Sequence, residues 1–455
     1  GISVRACATI SRPRSIRELG GPDGGIRMNE AEEISSKQKQ ISVSEFFEKN
    51  KHFLGFDTLP RAVITAVKES VDNSLDACEE ARILPDIRVE IRRTKGDELE
   101  LITQDNGPGI PRDAIENVFG KFLLGSRFHA IRQTRGQQGI GITGVVMYSQ
   151  LTTGSKTHVV SKIKSESSAV YVDLGVDTKK NKAIKSGERR DIWIDDKTGN
   201  EISHGLRIKT QMKAKYQRGR KSVYQYLRMT SIVNPHASIS LMVYDNEGSI
   251  VELGDWTRTS TKLPRVVEEI KPHPHGIQLG TLQRMLREAN DRKMTSFLKH
   301  NFSGVSPRAA KEILAMAEVE EGRTPKRIKA EEAKMMVAAF QTVKLLKPPM
   351  DCLSPIEDLL IKKGLSKAID SRFASTVTRN PSVSQGNPFQ IEVGLVFGGD
   401  LTSDGPIEIL RFANRVPLMY QQGGCLLTKA LEAVNWKSYG LEQPGGSGIP
   451  KGPAA

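Results

Sequence analysis

The sequence predicts an α+β protein, with a mixed sheet-and-helix region first, a helical block second and a further α/β unit third. Three observations support this order. Residues 1–250 contain a strong amphipathic helix, a hairpin and several short alternating segments. Residues 281–346 are helical in pattern and are bounded by prolines. After them, FQIEVGLVFGG and IEILRFANRVPLM alternate like strands, and TKALEAVNW has a helical pattern.

Length and composition predict a soluble globular protein of several domains. The 455 residues are enough for two to four domains, and a content of 38% hydrophobic and 26% charged residues is ordinary. No apolar run approaches the roughly 18 to 20 residues that span a bilayer. The four cysteines lie far apart, which indicates neither a disulfide framework nor a zinc site. We therefore expect reduced thiols and an intracellular protein.

The charge is strongly positive and unevenly distributed. The formal net charge is +14, and residues 206–229 contain eight Lys or Arg residues without any Asp or Glu. Such a run is typical of contact with phosphates, so we predict that the molecule contacts nucleic acid. A solvated surface is the alternative interpretation of the run itself. Aromatic residues make up only 5% of the chain, which argues against a base-stacking platform for single strands.

Residues 1–27 differ from the rest of the chain. They are rich in Arg, Gly and Pro and show almost no apolar pattern, so we predict a disordered leader. A misassigned start or a cloning remnant explains this segment better than a transit peptide, because no amphipathic repeat is visible. Met28 opens an acidic, helix-prone stretch that is more typical of a true start.

The clearest elements of the first region are one helix and one hairpin. Residues 61–82 carry apolar side chains at steps of three and four, directly after Pro60, which predicts an amphipathic helix. Residues 87–92 alternate, the turn TKGD follows, and LELIT then predicts the second strand of a hairpin. The apolar stripe of the helix consists of Ile64, Val67, Val71, Leu75 and Cys78.

The same helix carries a polar face with catalytic potential. Glu69, Asn73 and Asp76 stand at i, i+4 and i+7, and they lie roughly opposite the apolar stripe. A plain solvent-exposed face is the simpler interpretation. However, Asn is a poor residue for a helix interior. Its amide oxygen suits Mg²⁺, and a neighbouring Glu suits the deprotonation of an attacking water.

Two glycine-rich loops follow. In DNGPG (105–109), a strand-terminal Asp can accept a hydrogen bond from an exocyclic amine, although an ordinary turn has the same composition. In RGQQGIGITG (135–144), the glycines match G-x-G-x-x-G, but the preceding residues are polar and basic instead of an apolar strand. This excludes a dinucleotide fingerprint. The helix-prone VVMYSQL that follows indicates a phosphate loop entering a helix.

In this order, the motifs KESVDNSLDA, DNGPGI and RGQQGIGITG resemble the GHKL ATPase superfamily. The resemblance implies a Bergerat α/β sandwich that binds ATP and Mg²⁺ beneath a lid. A histidine kinase of this superfamily would need a phosphoacceptor helix pair upstream, for which only about 40 residues are available. A chaperone ATPase would not need the positive charge. A MutL-like DNA-repair clamp is the alternative that we retain.

Further segments narrow the resemblance to the B subunits of archaeal type IIB DNA topoisomerases. They are GSRFHAIRQTRGQQGIG, IVNPHASISL, PHPHGIQLGTL, DCLSPI, NPFQIEVGLVFGG, RFANRVPL and WKSYGLEQ, and the match begins near Ser36. The resemblance implies a GHKL ATP-binding domain at 28–260 and a helix–two-turns–helix domain at 261–347. A ribosomal S5-like transducer domain would occupy 348–455, and we expect it to be incomplete.

The resemblance also implies roles for individual residues. Glu69 would be the general base, Asn73 the Mg²⁺ ligand and Asp105 the reader of adenine. Lys437, in WKSYG, would be the transducer lysine that reaches the γ-phosphate and joins Glu69 as a catalytic residue. The implied nucleotide-binding residues are Asn73, Asp76, Asp105, Gly107, Gly109, the lid residues Ser126 and Arg127, the loop residues Gly136, Gln137, Gln138, Gly139, Ile140, Gly141, Ile142 and Thr143, and Lys437.

The implied activity belongs to an assembly. ATP binding would dimerise two B subunits and close a gate around one double-stranded DNA. A separate A subunit would cut a second duplex, so that an A2B2 heterotetramer relaxes supercoils and decatenates DNA. We therefore expect a cytoplasmic, nucleoid-associated protein of an archaeal cell, with no membrane partner.

Overall fold

The computed structural model describes residues 43–120, 131–136, 140–177, 182–446 and 448–455, and the predicted leader at 1–27 lies outside these ranges. The helices are α1 Val43–Lys49, α2 Lys51–Leu54, α3 Leu59–Glu80, α4 Arg112–Gly120, α5 Gly141–Thr153, α6 Val223–Val233, α7 Leu279–Glu288, α8 Met294–Asn301, α9 Pro307–Met316, α10 Ala330–Thr342, α11 Asp358–Ala368 and α12 Leu426–Glu432. The strands are β1 Asp86–Arg93, β2 Glu98–Asp105, β3 Thr157–Lys162, β4 Ala169–Asp177, β5 Lys182–Asp191, β6 Gly205–Lys213, β7 Ser238–Tyr244, β8 Ile250–Trp256, β9 Phe373–Thr378, β10 Ser382–Ser384, β11 Asn387–Phe389, β12 Glu392–Phe397, β13 Phe412–Ala413 and β14 Val416–Pro417.

One large sheet organises the first region. Among the described residues it has eight strands in the order β5-β4-β3-β6-β2-β1-β7-β8. The pairings are antiparallel except for β1 with β7, which is parallel. The predicted hairpin is confirmed as β1 and β2, with Ile91 opposite Leu101. This arrangement places the end of β2, at Asp105, in the middle of the sheet.

Helix α3 confirms the predicted amphipathic helix. Thr58 caps it by accepting a hydrogen bond from the Arg61 amide at 3.4 Å, and Pro60 lies in its first turn. Four residues of the predicted stripe are completely buried, whereas Ile64 is only half-buried against the core. On the other side, Asn73 is exposed and Glu69 is half-buried. The stripe anchors the helix and leaves its polar face available. The buried members of the stripe are Val67, Val71, Leu75 and Cys78.

Helices α5 and α6 complete the helical layer. Residues 142–149 of α5 are all buried, because this helix contacts both α3 and β6. Ser222 caps α6 by accepting a hydrogen bond from the Gln225 amide at 3.1 Å. The core between these helices and the sheet is formed by Val, Ile, Leu and aromatic side chains, including Phe47, Phe56, Ile87, Val89, Leu101, Phe119, Tyr226 and Leu241.

The helical block α7–α10 has a hydrophobic core of its own, which includes Phe297, Ile313 and Phe340. Helix α9 begins with Ser306 as its cap, at 3.1 Å from the Ala309 amide, and Pro307 in its first position. A separate core is the physical requirement for an independent domain. The domain boundaries near 260 and 347 stay predictions. Among the helices of the described ranges, none has both the length and the apolar composition of a membrane-spanning segment.

The last region contains less strand than the sequence pattern predicted. The segment IEIL (407–410) is not a strand, so this prediction was wrong, while FANRVP forms only the short hairpin β13–β14. The amides of Ile407 and Glu408 donate to the carbonyls of Pro450 and Ala454 instead of joining a ladder. Helix α12 ends at Glu432, and a 3₁₀ turn, Trp436–Tyr439, follows it.

Candidate functional site

Asp105 stands at the end of β2 with its carboxylate held in one orientation. Ser74 of α3 donates a hydrogen bond to Oδ2 at 2.6 Å, and the Gly107 amide donates to Oδ1 at 2.8 Å. The residue is only 6% exposed. Burial raises the pKa of Asp105, and the hydrogen bonds from Ser74 and the backbone oppose that rise. The sequence indicated Asp105 but not Ser74, which lies 31 positions away.

The turn after Asp105 requires its glycines. Gly109 has φ of +72°, and a Cβ there would lie 2.2 Å from the carbonyl oxygen of Lys162. A Cβ added at Gly107 would lie 2.9 Å from Asp105 Oδ1. His204, the residue before β6, places its Nδ1 2.9 Å from the Gly107 carbonyl oxygen and donates a hydrogen bond to it, which fixes the turn. His204 is a further residue of the site that sequence reasoning did not identify.

Glu69 lies against the start of α5. A Cβ at Gly141 would stand only 1.9 Å from Glu69 Oε2, so the carboxylate occupies the space that a larger residue would fill. The amides of the first turn of a helix have no partners within the helix and attract anions. Ile140, the cap residue, provides no side-chain hydrogen bond to them. The predicted base and the predicted phosphate loop are therefore direct neighbours.

Glu69 belongs to a connected series of charged and polar side chains. Lys68 Nζ lies 3.0 Å from Glu69 Oε1 and 3.3 Å from Asp72 Oδ2. The hydroxyl of Tyr226, on α6, donates to Asp72 Oδ1 at 2.9 Å. Burial raises the pKa of Asp72, while the charge of Lys68 lowers it. This series of contacts holds Lys68 between two carboxylates, and Lys68 in turn restricts the motion of the Glu69 side chain.

The remaining described loop residues differ in their surroundings. Gly136 is exposed, and a Cβ there would meet no atom within 4 Å. Ile142 and Thr143 are buried in the first turn of α5, and Thr143 donates to the carbonyl of Val118 at 3.4 Å. Ser126, Arg127, Gln137, Gln138 and Gly139 lie outside the described residues.

Asp76 is paired with an arginine that immediately precedes the phosphate loop. Arg135 Nη1 lies 2.6 Å from Asp76 Oδ1 and 2.9 Å from Glu79 Oε2, and the arginine side chain is 4% exposed. Arg135 Nη2 also donates to Glu79 Oε1 at 2.5 Å and to Asn234 Oδ1 at 2.7 Å. His236 Nε2 lies 2.8 Å from Glu79 Oε1.

The electrostatics of this cluster are those of a tight ion pair. Burial alone would raise the pKa of Glu79, but the charge of Arg135 and the hydrogen bonds from His236 and Arg135 lower it far below its usual value. Burial lowers the pKa of His236, which favours the neutral ring. The cluster fixes residues just ahead of the loop to α3. Sequence reasoning placed Asp76 at the nucleotide without identifying its partner Arg135.

Asn73 is suited to bind a magnesium ion whose other ligands are water and phosphate oxygens. It is exposed on α3, one turn from Glu69, and its side-chain amide makes no hydrogen bond within the described part of the chain. The described residues hold no cluster of three or more His, Cys, Asp or Glu that could bind a metal by themselves. Mg²⁺ commonly takes one or two protein oxygens and completes its shell with water and phosphate, and Asn73 fits that pattern.

Lys437 lies in the 3₁₀ turn Trp436–Tyr439 and is exposed. It forms no ion pair with any residue that the structure describes. Its role in the site stays a prediction, because no described contact links it to the phosphate loop.

Two family models match the chain. Residues 58–178 match the histidine kinase-, DNA gyrase B- and HSP90-like ATPase family, and residues 348–453 match the transducer of the topoisomerase VI B subunit. The first match contains α3, the turn after β2 and the start of α5. The second contains the hairpin β13–β14 and Lys437.

Relatives match over almost the whole chain. The B subunit of type 2 DNA topoisomerase 6 from Methanococcoides burtonii is 49% identical over 93% of this chain and 66% of its own length. The proteins of the same name from Methanosarcina acetivorans and Archaeoglobus fulgidus are 50% and 47% identical, over 66% and 68% of their lengths. The chain thus spans about two thirds of the length of these relatives.

Proposed function

Because this chain belongs to the family of type 2 DNA topoisomerase 6 B subunits, we propose that it is the ATP-hydrolysing subunit of a type IIB topoisomerase. The observation that carries the proposal is the contact between Glu69 and Gly141. It brings a candidate base to the amide-rich start of α5, and the base lies on the same helix, α3, whose Ser74 orients the carboxylate of Asp105.

Each part of the pocket has a chemical role in ATP binding. Asp105, held by Ser74 and Gly107, accepts a hydrogen bond from the adenine amino group. Gly107 and Gly109 let the backbone approach the ring closely. The segment from Gly136 to Thr143 binds the phosphates with backbone amides, and Ser126 and Arg127 contact the nucleotide from the lid. Asp76 acts from the same face of α3, through its pair with Arg135.

Hydrolysis follows from the position of Glu69. Asn73 would hold Mg²⁺, which would supply positive charge to the phosphates. Glu69 orients a water and accepts its proton as the water attacks the γ-phosphorus. The bond between the γ-phosphorus and the β–γ bridging oxygen breaks, and ADP leaves with that oxygen. Lys68 keeps the Glu69 carboxylate near Gly141 before the nucleotide arrives. Lys437 contacts the γ-phosphate and reports to the transducer region whether ATP or ADP is present.

The whole assembly is part of the proposal. ATP binding dimerises two copies of the chain around a DNA duplex, and an A subunit cuts a second duplex in an A2B2 complex. The names of the relatives and the net charge of +14 support this. In the basic run, Arg207 and Lys209 pair with acidic side chains, but Arg220 and Lys221 are exposed. Arg220 and Lys221 are therefore the better candidates for phosphate contact.

A MutL-like repair clamp would share the ATP-binding motifs. The relatives, however, match over 93% of the chain, including the helical block α7–α10 and the transducer region. This extent favours the topoisomerase function over the repair clamp.

Steady-state ATP hydrolysis tests the ATPase proposal. We expect Mg²⁺-dependent turnover by the wild-type chain, and Glu69→Ala should retain binding of a non-hydrolysable ATP analogue while turnover falls by about 100-fold or more. Glu269→Ala, an exposed glutamate outside the site, is the matched control. Turnover by Glu69→Ala at the wild-type rate would reject the assigned base.

DNA relaxation tests the assembly. The whole B subunit, mixed with its A subunit, ATP and supercoiled plasmid, should relax the plasmid only when all components are present. Mismatch-dependent activity without any need for an A subunit would instead support the repair clamp.

A further inference from the structure

Arg415 has an unusual backbone conformation for its residue type. It occupies the second position of the two-residue turn between β13 and β14, with φ of +64°, after Asn414 with φ of +51°. Turns with two positive φ values favour Asn followed by Gly, and a side chain at the second position costs free energy. An arginine at this position indicates that contacts of its side chain offset the free-energy cost of the turn conformation.

The Arg415 side chain is buried and holds one short segment. The residue is 8% exposed, and Nη2 donates to Ser354 O at 3.0 Å, Ser354 Oγ at 3.2 Å and Pro355 O at 3.0 Å. Burial lowers the pKa of Arg415 to about 10, which still leaves the guanidinium charged at neutral pH. The charge and the hydrogen bonds fix the segment that begins with Ser354.

Ser354 in turn holds the residues ahead of the phosphate loop. Its amide donates to Gln133 Oε1 at 2.8 Å, and the Gln133 amide donates to the Cys352 carbonyl at 2.9 Å. Gln133 lies three positions before Gly136, where the loop begins. A continuous series of hydrogen bonds therefore runs from Arg415 to the base of the loop.

Close to Gln133, Arg135 joins the segment before the phosphate loop to α3 through its ion pairs with Asp76 and Glu79. Asp76, Glu79, Arg135, Ser354 and Arg415 line one cavity of about 360 Å³. The loop is thus held on two sides just before its glycines: by α3 through Arg135, and by the transducer region through Gln133 and Ser354.

We propose that Arg415 is a positioning residue for the nucleotide phosphates, which acts through Ser354 and Gln133 on the phosphate loop. This inference rests on the proposed ATP binding. It assigns to the hairpin β13–β14 a link to the nucleotide that does not pass through Lys437. Loss of the Arg415 side chain loosens the loop and weakens the binding of nucleotide, although Arg415 itself touches no phosphate.

The variant Arg415→Gly tests whether the Arg415 side chain is needed for nucleotide binding rather than for folding. Glycine adopts the turn conformation without strain, which offsets part of the stability lost with the hydrogen bonds of the side chain, so the variant should still unfold in one cooperative transition above the assay temperature. The dissociation constant of a non-hydrolysable ATP analogue should rise about fivefold or more. Arg415→Lys keeps a positive donor and should recover part of the binding. Arg379→Ala, an exposed arginine of the same region, is the control and should bind as the wild type does.

A double-mutant cycle tests the path. Gln133→Ala should weaken binding to a similar degree, and the double variant with Arg415→Gly should be no weaker than either single variant, because both break one series of contacts. Additive losses, or wild-type affinity of Arg415→Gly, would overturn the inference while leaving ATP binding intact. Failure of the wild-type chain to bind the analogue would instead reject the proposed function, and the inference with it.

Discussion

Gly141 and Glu69 are in direct contact: a Cβ on Gly141 would lie 1.9 Å from Glu69 Oε2 and 2.8 Å from its carboxyl carbon. Gly141→Ala must therefore displace the carboxylate or the start of α5. We expect ATP turnover to fall by about 100-fold, because a shift of roughly 1 Å in a catalytic group has an effect of that size. Steady-state hydrolysis measures it.

Gly280→Ala is the control for this variant. Gly280 lies in α7, and a Cβ there would meet no atom within 4 Å. Alanine is also the better helix former, so the thermal midpoint should not fall and turnover should not change. Wild-type turnover by Gly141→Ala would show that the contact does not set the position of the base.

Asn73 is predicted to connect nucleotide binding to Mg²⁺. In the wild type, removal of Mg²⁺ with EDTA should weaken binding of an ATP analogue by about tenfold or more. Asn73→Ala should bind equally weakly with and without Mg²⁺, because the protein ligand is missing. Isothermal titration at both conditions measures this. Asn380→Ala, an exposed asparagine, should keep the full response to Mg²⁺. An Mg²⁺ response that survives in Asn73→Ala would assign the ligand elsewhere.

Glu79 and Arg135 form a buried ion pair at 2.5 Å. The pKa of Glu79 is depressed in the folded state, so its ionised form stabilises the fold above the unfolded pKa of about 4.3, and this contribution is lost as pH falls below that value. Glu79→Gln should therefore destabilise the protein by about 3 kcal/mol at pH 7, and the difference should shrink below about pH 4.

Denaturant unfolding across this pH range measures the effect of Glu79→Gln. The control is Asp191→Asn, which breaks an ion pair with Arg189 in which both side chains are 58% exposed. Such a pair contributes little in water, so stability should hardly change. An equal loss for Glu79→Gln at acidic and neutral pH would contradict the assigned charge state.

Lys437 is predicted to distinguish ATP from ADP. Lys437→Ala should reduce the preference for a triphosphate analogue over ADP by about tenfold, since the γ-phosphate loses one charged partner. Parallel titrations with both nucleotides measure this preference. Lys429→Ala, an exposed lysine of α12, should retain it. An unchanged preference in Lys437→Ala would reject a contact between Lys437 and the γ-phosphate.

Several elements of the site were predictable from local patterns. The spacing of Val67, Val71 and Leu75 defines the buried side of α3, and this places Glu69 and Asn73 on the opposite side. The alternation at 87–92 predicts the hairpin that ends at Asp105. These predictions succeed because helix and strand periodicities depend on neighbours within a few residues. The pattern at 407–410 did not produce a strand, and the amides of Ile407 and Glu408 donate to the carbonyls of Pro450 and Ala454, contacts that a local pattern does not contain.

The contacts that orient the site required the tertiary structure. Ser74 reaches Asp105 across 31 positions, Arg135 reaches Glu79 across 56, and His204 reaches Gly107 across 97. Nothing in the local pattern distinguishes these side chains from other polar residues. Ser74 and His204 became recognisable only when the packing of segments around the end of β2 brought them within hydrogen-bond distance. Arg135 became recognisable when the segment before the phosphate loop packed against the end of α3. These distances depend on chain segments that are remote from each other in sequence.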